Sequence, residues 1–348
     1  MRHQPKKATL KDVAREAGFA PTTVSGVLRG NKGTWASKET RRKIFAAARK
    51  INYKRNQNAL SLRLNRSFSI IIIVPDITNQ FFSYLFRELQ LNLRSSGYEC
   101  ILEESQFDKN LELKKLDDAL NRNVDGTIAM TLHDHSIERL LDFRKNGVPL
   151  LHIGSLPDGI NIDCITVGTK KSSDAAIQKL KLYGHKKIGF VDSLDSLNDP
   201  VFRLQTYIAS CKRNGLLTKE EWILTCPSEM LAIKKRVSSW FSNNKAKIEM
   251  PTALLCTEDI TAIATISALQ DLGLRIPQDI SVVGFNNIPL CEFINPKLST
   301  INQPIKEIAL ESSKIICDRI NSGYNSTVKK VNLETTFVSR DSIGPCSQ

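Results

Sequence analysis

A chain of 348 residues with 41% hydrophobic content is long enough for two or three domains with a sizeable core, and its formal net charge is +13. The longest apolar run, residues 70–74, is far shorter than a membrane span, and the polar first eight residues lack the apolar middle of a signal peptide, so a cytoplasmic protein is expected. Eight cysteines stand singly from Cys100 to Cys346 with no CxxC pair, which argues against metal or disulfide frameworks and for reduced, mostly buried thiols.

Residues 1–66 hold seventeen lysines and arginines against Asp12, Glu16 and Glu39, a net charge of +14, so the other 282 residues sum to about −1. A compact segment this basic is the electrostatic footprint of a polyanion-binding unit, most often one for nucleic acid. Thr9 is placed to cap a first helix, with Asp12 three residues on in a capping-box arrangement, and Leu10, Val13, Ala14 and Ala17 share one face. Gly18 stops that helix and Pro21 suits the first turn of a second. Val24, Val27 and Leu28 form the buried face of the second helix, leaving Thr22, Thr23, Ser25 and Arg29 outside, and Gly30 ends it. Two short helices around a glycine-containing turn make a helix-turn-helix pattern, whose small, polar second helix can enter a major groove. The rival, a three-helix protein-interaction bundle, is disfavoured by the charge. Ser37 caps a third helix with Ile44, Phe45, Ala48 and Ile51 as its inner face and Arg41, Arg42, Lys43, Arg49 and Lys50 outside. After Tyr53, Asn56 can cap a short fourth helix holding Ala59, Leu60, Leu62 and Leu64. Its leucines have no core of their own, so they would pack on a second copy or wedge into a minor groove.

The stretch "TLKDVAREAG…TTVSGVL…SKETRRKIFAAARKINYKRN" resembles the LacI/GalR family of bacterial transcription regulators, and the resemblance extends over nearly the whole chain. It implies base-reading positions at Pro21, Thr22 and Gly26. It implies phosphate-backbone contacts at Thr9, Thr23, Ser25, Arg29, Ser37, Thr40, Tyr53 and Asn56, and hinge-helix residues at Ala59 and Leu62, with Leu62 as the wedge at a central base step. The chain departs from the family pattern at Gly26, where most members carry Arg or a similar polar residue, and at Arg55, where the usual residue is Pro. A glycine inside a helix costs about 1 kcal/mol relative to alanine and removes a reader of guanine, so the family's consensus operator does not transfer. Trp35, in the loop before the third helix, is read as a local packing residue rather than a base contact.

From residue 67 onward strands and helices alternate. Strands are expected at 68–74, 98–103, 124–130, 148–153, 187–191, 252–256 and 280–285; helices are expected from about 80 and at 110–122, 136–146, 170–183, 200–215, 229–242 and 259–272. Near-continuous apolar strands alternating with helices mean parallel sheets covered on both faces. The segments "IIIIVPDITNQFF", "LQDLGLRIPQDISVVGFNN" and "NPKLSTINQPI" resemble the periplasmic-binding-protein-like effector module of the same family. The expected fold class is therefore multidomain: an all-α helix-turn-helix headpiece (1–55), a hinge helix (56–66), and a bilobed α/β domain with parallel sheets (67–340). The resemblance implies three crossings between lobes, with a first lobe at about 67–168 plus 303–322 and a second at about 169–302 plus 323–340.

Open α/β sheets bind ligands outside the carboxyl ends of their strands. That rule nominates Asp76 and Asn79 after the first strand with Phe81 and Phe82 beyond, Asp134 after the third, Ser193 and Asp195 with Arg203 following, then Thr257, Glu258 and Asp259, and finally Asn286 and Asn287. The resemblance implies that Phe81 and Phe82 stack on a ring, Arg203 binds hydroxyls or a carboxylate, and Asn286 hydrogen-bonds the ligand. Phe82 is equally readable as core, and Glu258 and Asp259 as acids favouring a helix N-terminus. Asn286, where many members have Asp, is uncharged, which favours a polyol or sugar; Leu197, where nucleobase-sensing relatives tend to be polar, disfavours a purine.

These expectations describe a repressor of a near-palindromic operator that acts as a homodimer, without cofactor or metal, and is controlled by a carbohydrate effector. Activation or co-repression by the same fold is the alternative. A transport receptor is disfavoured by the basic headpiece, and an enzyme by the absence of GxGxxG, GxSxG or a third ligand beside His133 and His135. Residues 340–348 carry no leucine heptads, so a dimer is expected rather than a tetramer.

Overall fold

The computed structural model describes residues 8–28, 35–53, 66–131, 136–193, 200–244, 249–324 and 327–347. The chain divides into two compact units, Met1–Ser67 and Phe68–Gln348.

The first unit contains α1 (Leu10–Ala17), α2 (Pro21–Leu28) and α3 (Lys38–Lys50). Thr9 caps α1 in a reciprocal box: its hydroxyl accepts from the Asp12 amide, and the Asp12 carboxylate accepts from the Thr9 amide at 2.9 Å. Gly18 closes α1 at φ +72°, a conformation open to glycine without a Cβ penalty. Ser37 caps α3 by accepting from the Thr40 amide at 3.1 Å. The core is Val13, Ala14, Val24, Val27, Ile44, Ala47 and Ala48. Two expectations are corrected here. Phe45 is 43% exposed, because from Ile44 the helical repeat of three and four runs to Ala47, Ala48 and Ile51 and leaves its neighbour about 100° off the buried stripe. Trp35 is 99% exposed and packs on nothing among the described residues. The fourth helix, with Asn56, Ala59 and Leu62, lies outside the described residues, as does Arg29.

The second unit holds twelve strands among its described residues, in two six-stranded sheets. β1 (Ser69–Val74), β2 (Glu99–Glu104), β3 (Gly126–Ala129), β4 (Leu150–Ile153), β5 (Cys164–Gly168) and β11 (Lys330–Glu334) form the first, in the order β11-β5-β4-β3-β1-β2. β6 (Ile188–Asp192), β7 (Ile223–Thr225), β8 (Ala253–Cys256), β9 (Ser281–Asn286), β10 (Ser299–Asn302) and β12 (Thr336–Val338) form the second, in the order β12-β10-β9-β8-β6-β7. Among the described residues the strand pairings are parallel except that of β10 with β12, which is antiparallel. Central strand β1 buries Ile70 to Val74 at 1% exposure or less, as a strand covered on both faces must.

The covering helices are α4 (Gln80–Ser95), α5 (Lys109–Asn121) and α6 (Ile137–Lys145) on the first sheet, and α7 (Lys170–Leu182), α8 (Pro200–Arg213), α9 (Met230–Asn244) and α10 (Asp259–Asp271) on the second. α11 (Ile305–Ser322) returns to the first sheet and packs on α4, β3 and β4. The chain thus passes between lobes after Gly168, after Asn302, and at Thr335 between β11 and β12.

The last crossing corrects the expected boundary. Residues 323–340 do not join the second lobe as a block, because β11 pairs in parallel with β5, Val331 opposite Ile165, at the edge of the first sheet. Nor does the second lobe end at residue 340. Ser342 is buried and its hydroxyl donates to the Val282 carbonyl at 2.6 Å, Ile343 is buried, and the His185 ring joins Thr252, Ser281 and the Gly344 carbonyl at 2.9–3.1 Å. Arg319 on α11 and Asp163 before β5 form a fully buried bidentate pair at 2.6 and 2.8 Å, and the same carboxylate accepts from the Lys329 amide at 2.7 Å. That cluster seats the segment leading into β11.

Candidate effector cleft and DNA-binding face

The carboxyl ends of both sheets and two of the crossings line a cleft that opens to solvent. Its first-lobe wall is carbon-rich: Phe81 and Phe82 from the start of α4, Phe107 after β2, Met130 after β3, then Ile153, Ile165, Val167 and Ile308. Phe81 and Phe82 meet edge to face with centroids 5.2 Å apart. The second lobe and the crossings supply Thr169, Arg203, Glu258, Asn286 and Gln303, with Phe285 among them.

Arg203 projects from α8. Its Nη1 donates to the Thr257 carbonyl at 2.5 Å, and its guanidinium lies 4.2 Å from the Phe285 ring centroid, so its plane is set before any ligand arrives. Asn286 ends β9 at φ +113°, buried, in backbone space that L-residues rarely adopt and that costs about 1–3 kcal/mol. Its Oδ1 accepts from Gln303 Nε2 at 2.7 Å, which turns the Asn286 amide hydrogens away from that partner. A smaller side pocket beside Arg203 shares Thr169, Arg203 and Phe285 with the main one.

Of the residues nominated from strand ends, Phe81, Phe82, Arg203 and Asn286 come together in the main cavity, and Thr257 lines the side cavity while its carbonyl holds Arg203. Asp76 and Ser193 line neither. Asp76 accepts from the Thr78 amide and hydroxyl at 2.8 and 2.6 Å, tying up its own loop. Ser193 is fully buried, its hydroxyl against that of Thr261 and its amide donating to Thr257 Oγ1 at 3.2 Å, so it joins β6 to α10. Asp134, Asp195, Leu197, His133 and His135 lie outside the described residues.

Glu258 is more than a helix-end acid. It lines the cavity at 7% exposure and accepts from Asn79 Nδ2 at 2.7 Å. Burial pushes its carboxyl up, as do the charges of Asp76 and Asp192, against the opposing pull of Asn79 and Arg203. Asp259 beside it is structural. It accepts from Thr300 Oγ1 at 2.5 Å and from the Ile288 amide at 2.8 Å, and burial raises its carboxyl to about 6. Sequence reasoning missed Phe107, Thr169 and Gln303. Phe107 follows an expected strand and was open to the strand-end rule, whereas Thr169 and Gln303 follow β5 and β10, which hydrophobic patterning alone did not pick out.

In the first unit the side chains expected to meet DNA are unequal. Thr9, Pro21, Thr22 and Ser37 are exposed; Thr23, Ser25, Thr40 and Tyr53 are half-buried, Tyr53 packing against the helical core. Gly26 is buried, so it presents no group to a base. Each of the three acids sits within ion-pair distance of a cation, Arg15 with Asp12, Lys43 with Glu39 and Lys50 with Glu16, at 2.6–3.6 Å, and the large basic excess remains.

Among the described residues no helix is long and apolar enough to cross a membrane, and no three metal-ligating side chains converge. A family model described as bacterial regulatory proteins, lacI family, matches residues 9–56, and one described as a periplasmic binding protein-like domain matches residues 177–343. The chain is 27% identical over 324 residues to the HTH-type transcriptional repressor CytR of Escherichia coli strain K12, covering 92% of each. Its fold matches that of the Lac repressor dimer bound to operator and the anti-inducer ONPF, with TM-score 0.82 at 22% identity, covering 97% of this chain and 99% of that one. It also matches the transcriptional regulator CelR in its cellobiose complex, with TM-score 0.69 at 21% identity, covering 97% and 100%.

Proposed function

Because the chain belongs to the lacI family of bacterial regulatory proteins, as a DNA-binding regulator controlled by a small-molecule effector, we propose that it is a cytoplasmic, homodimeric repressor whose effector is a sugar or sugar derivative. The observation that carries this reading is a strongly basic helix-turn-helix unit, with Pro21 and Thr22 exposed on α2, on the same chain as a two-lobed cleft. In this reading Pro21 and Thr22 read bases, and Thr9, Thr23, Ser25, Ser37, Thr40 and Tyr53 hold phosphates. A two-fold dimer imposes a near-palindrome on its operator. In the cleft, Phe81 and Phe82 stack on a ring while Arg203 and Asn286 bind hydroxyls, and Thr257 fixes Arg203. The cellobiose named for one structural relative and the uncharged Asn286 both favour carbohydrate. The molecule acts by binding rather than catalysis: the ionisable groups of the cleft are held by structural partners, Glu258 by Asn79 and Arg203 by Thr257.

Effector binding biases the separation of the lobes and, through it, operator affinity. The test is selection of DNA from a random pool by the purified protein at fixed salt of about 150 mM, since phosphate-driven affinity falls steeply with salt. A near-palindrome of two half-sites is expected. Sequence-independent binding, with and without a sugar panel, would sink the proposal.

A further inference from the structure

Trp35 stands apart from the other tryptophans of the chain. Trp222 and Trp240 are buried in the second unit, whereas Trp35, at 99%, is the most exposed large apolar side chain among the described residues. Scattered surface leucines are ordinary, but tryptophan is highly buried on average. The backbone that carries it is held in place. Ala36, the next residue, packs against the core of the first unit, and its carbonyl accepts from Arg41 Nε at 3.4 Å. Ser37 then caps α3 by accepting from the Thr40 amide at 3.1 Å. The core of Val13, Val24, Val27 and Ile44 closes without the indole, which therefore offers its whole ring to a partner from a fixed base.

Charge decides what that partner is. Residues 1–66 sum to +14, and Lys38 and Arg42, one turn apart at the start of α3, are exposed beside Trp35 in the chain. A partner that covers the indole must offer apolar surface and be a polyanion. The backbone of duplex DNA is both, because its deoxyribose rings are carbon-rich and lie between phosphates. We propose that Trp35 packs its ring on a deoxyribose of the operator backbone, with the indole N–H donating to a phosphate, as an apolar anchor outside the recognition helix. The inference rests on the first unit binding DNA as proposed above. Two residues of chain span at most about 7 Å, so the sugar it covers adjoins the phosphate assigned to Ser37. Such a contact releases no counterion, so its contribution does not fall with salt as that of a lysine does. Because it lies on sugar, it is also independent of base sequence.

The experiment titrates fluorescein-labelled duplexes with the full-length protein, read by anisotropy, between about 100 and 300 mM salt. One duplex is the near-palindrome recovered by selection and the other is a random sequence of the same length. Trp35→Ala is expected to weaken binding to both about tenfold, by the same factor at every salt concentration, and Trp35→Phe to recover most of the loss. Loss of a phosphate-bound cation would instead lower the slope of log affinity against log salt by about one. Acrylamide quenching of the Trp35 emission should fall when either duplex is bound. Thermal melting checks that the variants fold, and both should melt with wild type because the side chain lies outside the core. Unchanged affinity in Trp35→Ala overturns the inference and leaves the regulator reading standing. A loss confined to the selected duplex would move the indole onto a base edge and overturn the sugar contact. An indole already shielded from acrylamide in the free protein would show that another part of the protein covers it, which also overturns the inference. If wild type binds neither duplex, the regulator reading falls and this inference with it.

Discussion

Asn79 donates a 2.7 Å hydrogen bond to Glu258, joining the cap of α4 in the first lobe to the cap of α10 in the second. Both residues are buried, and the bond spans the cleft in which an effector is proposed to sit. A ligand that parts the lobes must replace it.

The pair makes stability depend on pH. A carboxyl raised above its ordinary value contributes stability that is full below that ordinary value and is lost as pH rises through the folded one. Glu258 is raised chiefly by burial, and Asp259 to about 6 for the same reason. Melting temperatures between about pH 4 and 8 should therefore converge for wild type and Glu258→Gln at the acid end and separate in favour of the variant above it. Parallel profiles would show that Glu258 titrates as an ordinary surface acid.

His152 runs the other way. Burial lowers its ring to about 4 from 6.5, with Thr131 and the Gly154 carbonyl as partners. Its contribution is present above pH 6.5 and disappears as pH falls toward 4. A His152→Gln variant followed by urea unfolding should lose the acid limb of the wild-type curve; retention of that limb would place its origin elsewhere.

Removing Arg319 strands Asp163 in the interior. Arg319→Ala should cost about 3–5 kcal/mol in denaturant unfolding, and the double variant with Asp163→Ala should cost less than the two single costs combined. Simple additivity would mean the two groups are not coupled.

Gly284 on β9 has no room for a side chain, since an added Cβ would collide with the Asp259 carboxylate and Leu298. Gly284→Ala should lower stability by about 1–3 kcal/mol through overpacking. A variant as stable as wild type would mean that α10 shifts freely.

Trp35 is solvent-exposed, while Trp222 and Trp240 are 2% and 6% exposed within the second unit. Acrylamide should quench one red-shifted emission component, and Trp35→Phe should remove it while leaving the buried pair. Persistence of that component in the variant would move the accessible indole to another site.

The comparison of sequence and structure turns on a few residues. Thr9, Gly18, Pro21 and Ser37 were legible because caps and stops depend on the chain's own neighbours. Phe45 was misplaced because two adjacent apolar residues on a helix both look inward until the packing partner picks one stripe. Arg203 was found through the family resemblance of the helix beyond β6, and Asn286 because it ends an apolar strand. Asp76 and Ser193 follow strands too, but neighbouring hydroxyls and amides claim them, which only their surroundings reveal.

By itself the sequence determined where the basic unit lies, the alternation of strand and helix, the family resemblance, and most of the aromatic and basic side of the cleft, because local periodicity, capping and charge are written along the chain. The tertiary structure decided what depends on distant segments meeting. β11 adds to the first sheet through its pairing with β5, the tail after Arg340 laces the second lobe, and Asn79 reaches Glu258. Thr169 comes to line the cleft, with its hydroxyl oxygen buried and unpartnered among the described residues. Pairing register and burial are set by what packs opposite, and no stretch of sequence carries its own opposite face.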